Sequence, residues 1–273
     1  FPVILLKQRN SGPAAARNAG AGQATGDILI FTDSDCELDR QFLKNMIEPF
    51  EQSEVVGVQG VYKTRQTEFM ACFGQVEIEG RYDRLARDKY IDFIGTYAAA
   101  YRHDVFNDNG GFDASFPLAS GEDTEFSYKL QEQGHKLVFN PAAFVYHLHP
   151  TTLKHYLRTK FYRGYWRVRL YSLHPEKTLK DSYTPQSLKI QVLTIPLILT
   201  LVPLSIVNSS WLWCVAITGA CYIIWSIPFA KRFKERQMGG VWRLPFILIA
   251  RAAALGAGLV VGFLNRAYAA KGT

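Results

Sequence analysis

The stretch GDILIFTDSD, residues 26–35, decides the fold class. Its apolar run at 28–32 predicts a buried strand, and Asp33, Ser34 and Asp35 follow at the carboxyl end of that strand. Ligands of open α/β sheets bind beyond the carboxyl ends of the strands, where paired carboxylates suit Mg²⁺ or Mn²⁺ bridged to a phosphate. The alternative is a turn in which an aspartate caps the next helix, and the stretch alone leaves both interpretations open.

Strands and helices alternate on both sides of this stretch. The predicted strands cover 2–6, 28–32, 55–62, 95–101, 136–139 and 143–147. The predicted helices cover 13–24, 39–50, 67–86 and 122–133. This alternation predicts an α/β domain in which helices flank a mostly parallel sheet.

Two further stretches combine small and polar residues. The stretch NSGPAAARNAG, residues 10–20, places Pro13 at the first position of a helix, and its small residues favour tight packing against a sheet. Further along, Ser120 and Asp123 have the spacing of a capping box, which is the structural interpretation. The functional interpretation makes Asp123 or Glu122 a general base in the ligand cleft.

The charges divide the chain unequally. Residues 1–153 carry a net charge of −7, residues 154–180 carry +7 and residues 187–273 carry +8. Because the predicted α/β domain is acidic, a uniform nucleic-acid-binding surface does not explain the basic balance, and no nucleic-acid partner is expected.

The cysteines indicate neither a metal centre nor a disulfide framework. Cys36, Cys72, Cys214 and Cys221 form no CxxC pair, which disfavours a structural zinc or redox motif. Unpaired thiols fit a reducing compartment.

The C-terminal part has the composition of a membrane protein. The 41 residues 190–230 contain no charge and form two predicted spans, 190–207 and 211–230. A third predicted span, 244–264, contains Arg251, which either snorkels, pairs with a lipid phosphate or marks a segment on the membrane surface. The GxxxG pair in this third span, Gly258 and Gly262, predicts close helix packing.

Basic residues predict the orientation of these spans. One cluster lies at 231–236, after the second span, and another at 177–189, before the first. The positive-inside rule then places both clusters and residues 1–187 in the cytoplasm. We therefore expect a multi-pass protein, in a bacterial inner membrane, whose α/β domain is cytoplasmic.

The segment 154–187 interleaves basic and aromatic residues. Such a mixture is found in nucleic-acid sites and in helices that lie on anionic lipid, and the position beside a predicted span favours the lipid. Arg158 and Arg163 are candidate contacts to a phosphate or a lipid. The predicted domains are thus 1–153, the interfacial segment 154–187 and the membrane region 188–273.

Four stretches in order resemble family 2 glycosyltransferases with the GT-A fold. They are NSGPAAARNAG (10–20), GDILIFTDSD (26–35), GTYAAAYRHDVF (95–106) and residues 109–147, which include SGED and end in FVYH. The resemblance covers residues 5–150. It implies a GT-A-like α/β domain followed by α-helical transmembrane segments.

The resemblance also implies roles for individual residues. Asp33 and Asp35 match the DxD motif that holds a divalent cation, Mg²⁺ or Mn²⁺, and the ribose and diphosphate of a nucleotide sugar. Asp123 matches the general base of the ED motif, and Glu122 lies beside it. His147, which by itself is either a metal ligand or a surface residue, is similar to a histidine that completes the metal site in some GT-A enzymes.

Three more residues are implied at the donor. Arg17 and Asn18 match a helix that borders the nucleotide, and Arg102 matches a basic position after a strand. The family pattern begins with a strand and helix that this sequence lacks, so we expect an N-terminally truncated domain that binds its donor poorly.

The resemblance implies an inverting transfer of sugar from a nucleoside-diphosphate donor to a lipid or lipid-linked saccharide at the cytoplasmic face, in the synthesis of a cell-envelope glycolipid or exopolysaccharide. A processive polysaccharide synthase is an alternative, although three spans are few for a channel and no QxxRW motif follows the SGED stretch. A non-catalytic membrane scaffold is the alternative from another class.

Overall fold

The structure is a computed structural model that describes residues 3–116, 121–179, 181, 183–236 and 239–269, with side chains up to residue 265. The chain divides into two compact units. The first unit consists of Phe1–Arg65, Tyr82–Leu148 and Leu170–Thr178. The second consists of Gln66–Arg81, His149–Arg169 and Leu179–Thr273.

The described residues of the first unit form one five-stranded sheet. Its strands are β1 (Ile28–Thr32), β2 (Cys36–Leu38), β3 (Val55–Lys63), β4 (Ala98–Arg102) and β5 (Lys136–His147). They lie in the order β1-β4-β3-β5-β2. β1, β3 and β5 run in one direction, while β4 and β2 run in the other.

The prediction of a mostly parallel sheet is therefore wrong, and the sheet is mixed. Among the described residues only the β3–β5 pairing is parallel. A helix between two strands does not by itself fix their relative direction. Before β4 the chain already runs antiparallel to β5, since Ile91 forms an isolated bridge with Leu137, and β4 continues in that direction.

Nine helices lie within the described residues. They are α1 (Gly12–Ala21), α2 (Phe42–Ile47), α3 (Phe69–Leu85), α4 (His103–Asp108), α5 (Glu122–Glu132), α6 (Leu153–Leu173), α7 (Gln186–Val207), α8 (Trp211–Glu235) and α9 (Leu244–Ala269). The helix predicted at 39–50 is shorter because Pro49, which lacks an N–H, lies in the 3₁₀ turn Glu48–Glu51 that follows α2.

The strand predicted at 2–6 is absent from residues 3–6, and Pro2 lies outside the described residues. Val3 and Leu5 are largely exposed. A strand needs a neighbour to satisfy its backbone groups, and no strand pairs with this segment in the described structure.

An aromatic cluster holds α5 against the sheet. Phe126 of α5 contacts Tyr101 of β4, with ring centroids 5.2 Å apart, and Phe106 and Phe112 at 5.1 Å and 5.4 Å. All four rings are buried. This packing fixes the amino end of α5, where Glu122 and Asp123 lie.

Among the described residues of the second unit, three segments are long and apolar enough to cross a membrane. They are Gln186–Val207, Trp211–Glu235 and Val241–Asn265. They match the three predicted spans, although α8 extends further into the basic cluster.

Arg251, whose environment the sequence left open, is buried inside the second unit. Its guanidinium lies 3.8 Å from Glu77 Oε1 and donates to the side chain of Gln191. Glu77 also accepts hydrogen bonds from Lys160 and Tyr156, at 2.8 Å and 2.7 Å. Burial opposes the ionisation of Glu77, but these cations hold its pKa well below the usual range. Arg251 therefore pairs with a protein carboxylate, as charges inside helix bundles do.

The close packing predicted for the GxxxG pair is confirmed, and its partner is α6. A Cβ atom added at Gly258 would overlap the carbonyl oxygen of Phe161, and one added at Gly262 would lie 2.5 Å from that of Tyr165. Gly164 of α6 approaches Leu255 in the same way. The small residues of both helices thus let the two backbones touch.

Candidate active site

Asp33 and Asp35 follow β1 at the sheet edge where β1, β3 and β5 end. Asp33 is held from two sides. Arg17 of α1 donates to its Oδ1 at 2.8 Å, and the hydroxyl of Tyr62 donates to its Oδ2 at 3.2 Å. Asp35 is more exposed, with 55% of its side chain accessible.

Arg17 joins this pair of aspartates to the amino end of α5. Its second nitrogen donates to Glu122 Oε1 at 2.8 Å, and the Glu122 side chain is only 1% exposed. Burial, and next the charge of Asp123, raises the pKa of Glu122 to about 7. The other Glu122 oxygen accepts the N–H of Gly121 at 3.1 Å. Both oxygens of Glu122 are thus engaged within the protein.

Asp123 differs from its neighbour. It is half-buried, and its Oδ1 accepts the N–H of Thr124 at 2.7 Å. The capping-box partner predicted for it, Ser120, lies outside the described residues. Of the two acids, Asp123 is therefore the more accessible, and an accessible carboxylate in the first turn of a helix suits a general base.

A stack of rings, which the sequence analysis missed, lines the same edge. Tyr62, at the end of β3, stacks on Tyr97 with centroids 3.7 Å apart and on His147 at 4.3 Å. Burial, and next the charge of Asp33, raises the pKa of Tyr62 well above its usual value, so its hydroxyl stays a donor. The signal available in the sequence was the position of Tyr62 near the carboxyl end of an apolar strand.

His147 ends β5 and faces the aspartates. Its Nε2 lies 3.3 Å from Asp35 Oδ2, and 15% of its side chain is exposed. Carboxylate oxygens together with an imidazole nitrogen are suitable ligands for Mn²⁺. Mg²⁺ would be held through the carboxylate oxygens. The donor chemistry of Asp33, Asp35 and His147 therefore fits the predicted cation.

Asn18 has a positioning contact. Its side-chain amide donates to the carbonyl oxygen of Phe112 at 2.7 Å and accepts the Phe112 N–H at 3.0 Å. Gly111, with φ +65°, leaves the room this contact needs, because a Cβ there would lie 2.8 Å from the Asn18 oxygen. Asn18 thus ties α1 to the loop that leads toward α5.

Comparison with known proteins shows what this part of the chain resembles. Residues 1–110 match the sequence profile described as "Glycosyl transferase family 2". The N-terminal part of the chain is thus similar to glycosyltransferase family 2. The relatives include the pre-mycofactocin glycosyltransferase of Mycobacterium tuberculosis, 29% identical over 183 residues, which are 64% of this chain and 38% of that protein. Another is glycosyltransferase AglE of Haloferax volcanii, 30% identical over 142 residues, which are 50% of this chain and 44% of that protein.

The GT-A fold is supported by a solved structure. The mannosyltransferase PcManGT from Pyrobaculum calidifontis, in complex with GDP-Man and Mn²⁺, matches with a TM-score of 0.53 and 17% identity, over 93% of this chain and 67% of that one. This chain spans less than half the length of the two sequence relatives.

Arg102 lies away from the candidate site formed around Asp33 and Asp35, which corrects the prediction that it contacts the donor. Arg102 pairs with Ile28 at the start of β1, whereas Asp33 follows the other end, about 13 Å along the strand. The reason is that β4 runs antiparallel to β1, so their carboxyl ends point in opposite directions. The Arg102 guanidinium donates to the carbonyl oxygens of Val55 and Phe50, at 2.8 Å and 2.9 Å.

Arg158 and Arg163 lie on α6, in the second unit. The guanidinium of Arg158 lies 5.9 Å from the centre of the Tyr162 ring. Their contact with a phosphate or a lipid stays a prediction.

Replacing Tyr62 by Phe tests the ring stack. The change keeps the aromatic contacts but removes the hydrogen bond to Asp33, and hydrogen bonds to charged groups contribute about 1.5–3 kcal/mol. We expect the KM for the nucleotide sugar to rise about tenfold or more while kcat stays within about twofold. Tyr90→Phe, outside the site, serves as the control. A lower kcat at unchanged KM would contradict the assignment of Tyr62 to the donor side.

Proposed function

We propose that the protein is a membrane-anchored inverting glycosyltransferase. It transfers a sugar from a nucleoside-diphosphate donor to a lipid or lipid-linked saccharide at the cytoplasmic face of the membrane. The observation that carries the proposal is the bridge made by Arg17, which joins Asp33 on the donor side to Glu122 beside Asp123 on the acceptor side.

The proposed reaction uses Asp123 as the base. Its carboxylate takes the proton of an acceptor hydroxyl, and the oxygen attacks the anomeric carbon as the bond from that carbon to the diphosphate breaks. One displacement inverts the anomeric configuration. Arg17 and Tyr62 hold Asp33 in place throughout, while buried Glu122 holds Arg17. A divalent cation bound by Asp33, Asp35 and His147 would neutralise the charge of the diphosphate.

The matched proteins support the donor class. The mannosyltransferase of Pyrobaculum calidifontis was solved with GDP-Man and Mn²⁺, and the relatives named above are glycosyltransferases. We infer a nucleoside-diphosphate sugar as donor and Mg²⁺ or Mn²⁺ as cofactor.

The second unit supports the lipid acceptor and the membrane. Its three apolar segments suit membrane spans, and Arg232 and Lys234 lie in the last turn of α8, where the positive-inside rule favours the cytoplasm. A cavity of about 620 Å³ lies between α7, α8 and α9, lined by apolar residues such as Leu199, Ile223 and Leu248. We therefore propose that residues 1–187 lie in the cytoplasm of a bacterial cell.

The function is tested with the intact protein in nanodiscs. A panel of UDP- and GDP-sugars is offered with Mn²⁺ or Mg²⁺ and an extract of membrane lipids, and the products are weighed by mass spectrometry. We expect a lipid product heavier by one sugar, formed only with a divalent cation and lost in Asp35→Asn. A long polymer, or metal-dependent donor binding without any transfer, would refute the proposal.

A further inference from the structure

A segment of the first unit outside the active site packs on α5. It comprises residues 170–178, which lie in sequence between most of α6 and the start of α7. Its two buried polar side chains are His174, 5% exposed, and Lys177, 9% exposed. Burying such groups is costly unless each is paired, so their partners matter.

His174 reaches α5 through three contacts. Its Nδ1 lies 2.5 Å from Glu132 Oε1, and its Nε2 lies 3.8 Å from Glu125 Oε1. Its ring meets that of Tyr128 edge-on, with centroids 5.4 Å apart. Residues 125, 128 and 132 are three and four positions apart, so they share one face of the helix.

Lys177 links the same helix to a second element. Its Nζ lies 3.0 Å from Asp92 Oδ2 and donates to Gln131 Oε1 at 2.8 Å. Asp92 belongs to the loop that continues through Ile94 to Tyr97 in the ring stack. Ile94 is in turn joined to α5, since its N–H donates to Ser127 at 2.9 Å.

We propose that residues 170–178 brace the catalytic helix, with His174 and Lys177 as positioning residues that hold Glu122 and Asp123 in register with Arg17. This inference rests on the proposed function of Asp123. The aromatic cluster fixes α5 on one side, through Phe126, and the brace fixes the opposite side. Without it the helix keeps its apolar contacts but can shift, and a misplacement of about 1 Å can cost about 100-fold in rate.

The protonation of His174 makes the brace sensitive to pH. Burial lowers the pKa of His174, but the carboxylates of Glu125 and Glu132 outweigh burial and raise it. The other charged groups nearby are Glu176, 4.0 Å away, and the adjacent Lys177, which is paired with Asp92. Protonated His174 stabilises the packing of residues 170–178 on α5. This stabilisation is fully present below the unfolded-state pKa of about 6.5 and is lost as the pH rises through the raised pKa of the folded state.

A metal ion is the competing explanation of this cluster. Three side chains, those of Glu132, His174 and Glu176, each offer one atom that could bind a metal, and these atoms lie within 4.8 Å of one another. However, the hydrogen bond between His174 Nδ1 and Glu132 Oε1 accounts for their close contact without a cation.

The first test does not depend on activity. Amide hydrogen exchange is measured in the intact protein for wild type, His174→Gln, and the control His155→Gln, whose side chain is exposed on α6. We expect the amides of α5 to exchange at least about tenfold faster in His174→Gln alone, while those of α2 stay unchanged. If the α5 amides were equally protected from exchange in all three proteins, the proposed brace would be overturned. This outcome does not depend on whether the proposed function is correct.

The second test uses transfer kinetics across pH. We expect His174→Gln to lower kcat about 10- to 100-fold with the donor KM unchanged. His174→Lys, which keeps the charge, should restore most of the rate and remove the alkaline decline of the wild type. A rise in unfolding temperature with Zn²⁺ or Mn²⁺ that requires His174 would identify a metal site instead and overturn the proposal.

Discussion

We expect Asp123→Asn to lower kcat by about 10²- to 10⁴-fold, the range that a positioned general base contributes. Asparagine has the same shape and can still accept the Thr124 N–H, so the start of α5 stays intact. It cannot take the proton of an acceptor hydroxyl. Because Asp33, Asp35 and Tyr62 are untouched, we expect the affinity for the nucleotide sugar to stay within about twofold of wild type. Single-turnover kinetics and donor titration measure the two quantities.

Asp104→Asn is a matched control for this change. Asp104 lies in the first turn of α4, and its Oδ1 accepts the N–H of Val105 at 2.7 Å, which is the same local contact as that of Asp123. Asp104 lies beyond the carboxyl end of β4, away from Asp33. Equal loss of rate in both variants would show that the effect is structural and would remove Asp123 as the base.

Much of the site could be predicted because its residues lie at the ends of apolar runs. The strand Ile28–Thr32 and the start of α5 at Glu122 have their predicted bounds. Since β1, β3 and β5 run the same way, residues at their carboxyl ends meet, as Asp35 and His147 do. The bridge through Arg17 was beyond prediction because it joins residues 16 and 105 positions apart.

Strand direction is what the sequence could not supply. The alternation of strands and helices does not reveal that β4 runs opposite to β1 and β3. For this reason Arg102, which ends β4, was predicted at the end of the sheet where Asp33 lies, whereas it lies at the other end. The same uncertainty hid Tyr62, since a tyrosine at the end of an apolar strand is more simply explained as core. The partner of Arg251 was also hard to predict, because Glu77 lies in α3, far along the sequence from the apolar spans.

Gly258→Ala tests whether the contact between α6 and α9 holds the second unit together. The added methyl group meets the backbone carbonyl of Phe161, which cannot turn aside as a flexible side chain would. The two helices must therefore move apart along the contact that includes Gly164 and Gly262. Overpacking of this kind costs about 1–3 kcal/mol, and more where backbone must shift. We expect a lower free energy of unfolding, measured by denaturant titration in detergent micelles.

Gly219→Ala separates packing from helix propensity. Gly219 lies inside the apolar helix α8, and a Cβ there meets nothing within 4 Å. Both substitutions bring the same gain in helix propensity, about 1 kcal/mol, so the difference between the two variants isolates the helix contact. Gly219→Ala should be neutral or slightly stabilising. If Gly258→Ala were equally harmless, α6 and α9 would not be in backbone contact, and the GxxxG pair would have to pack elsewhere.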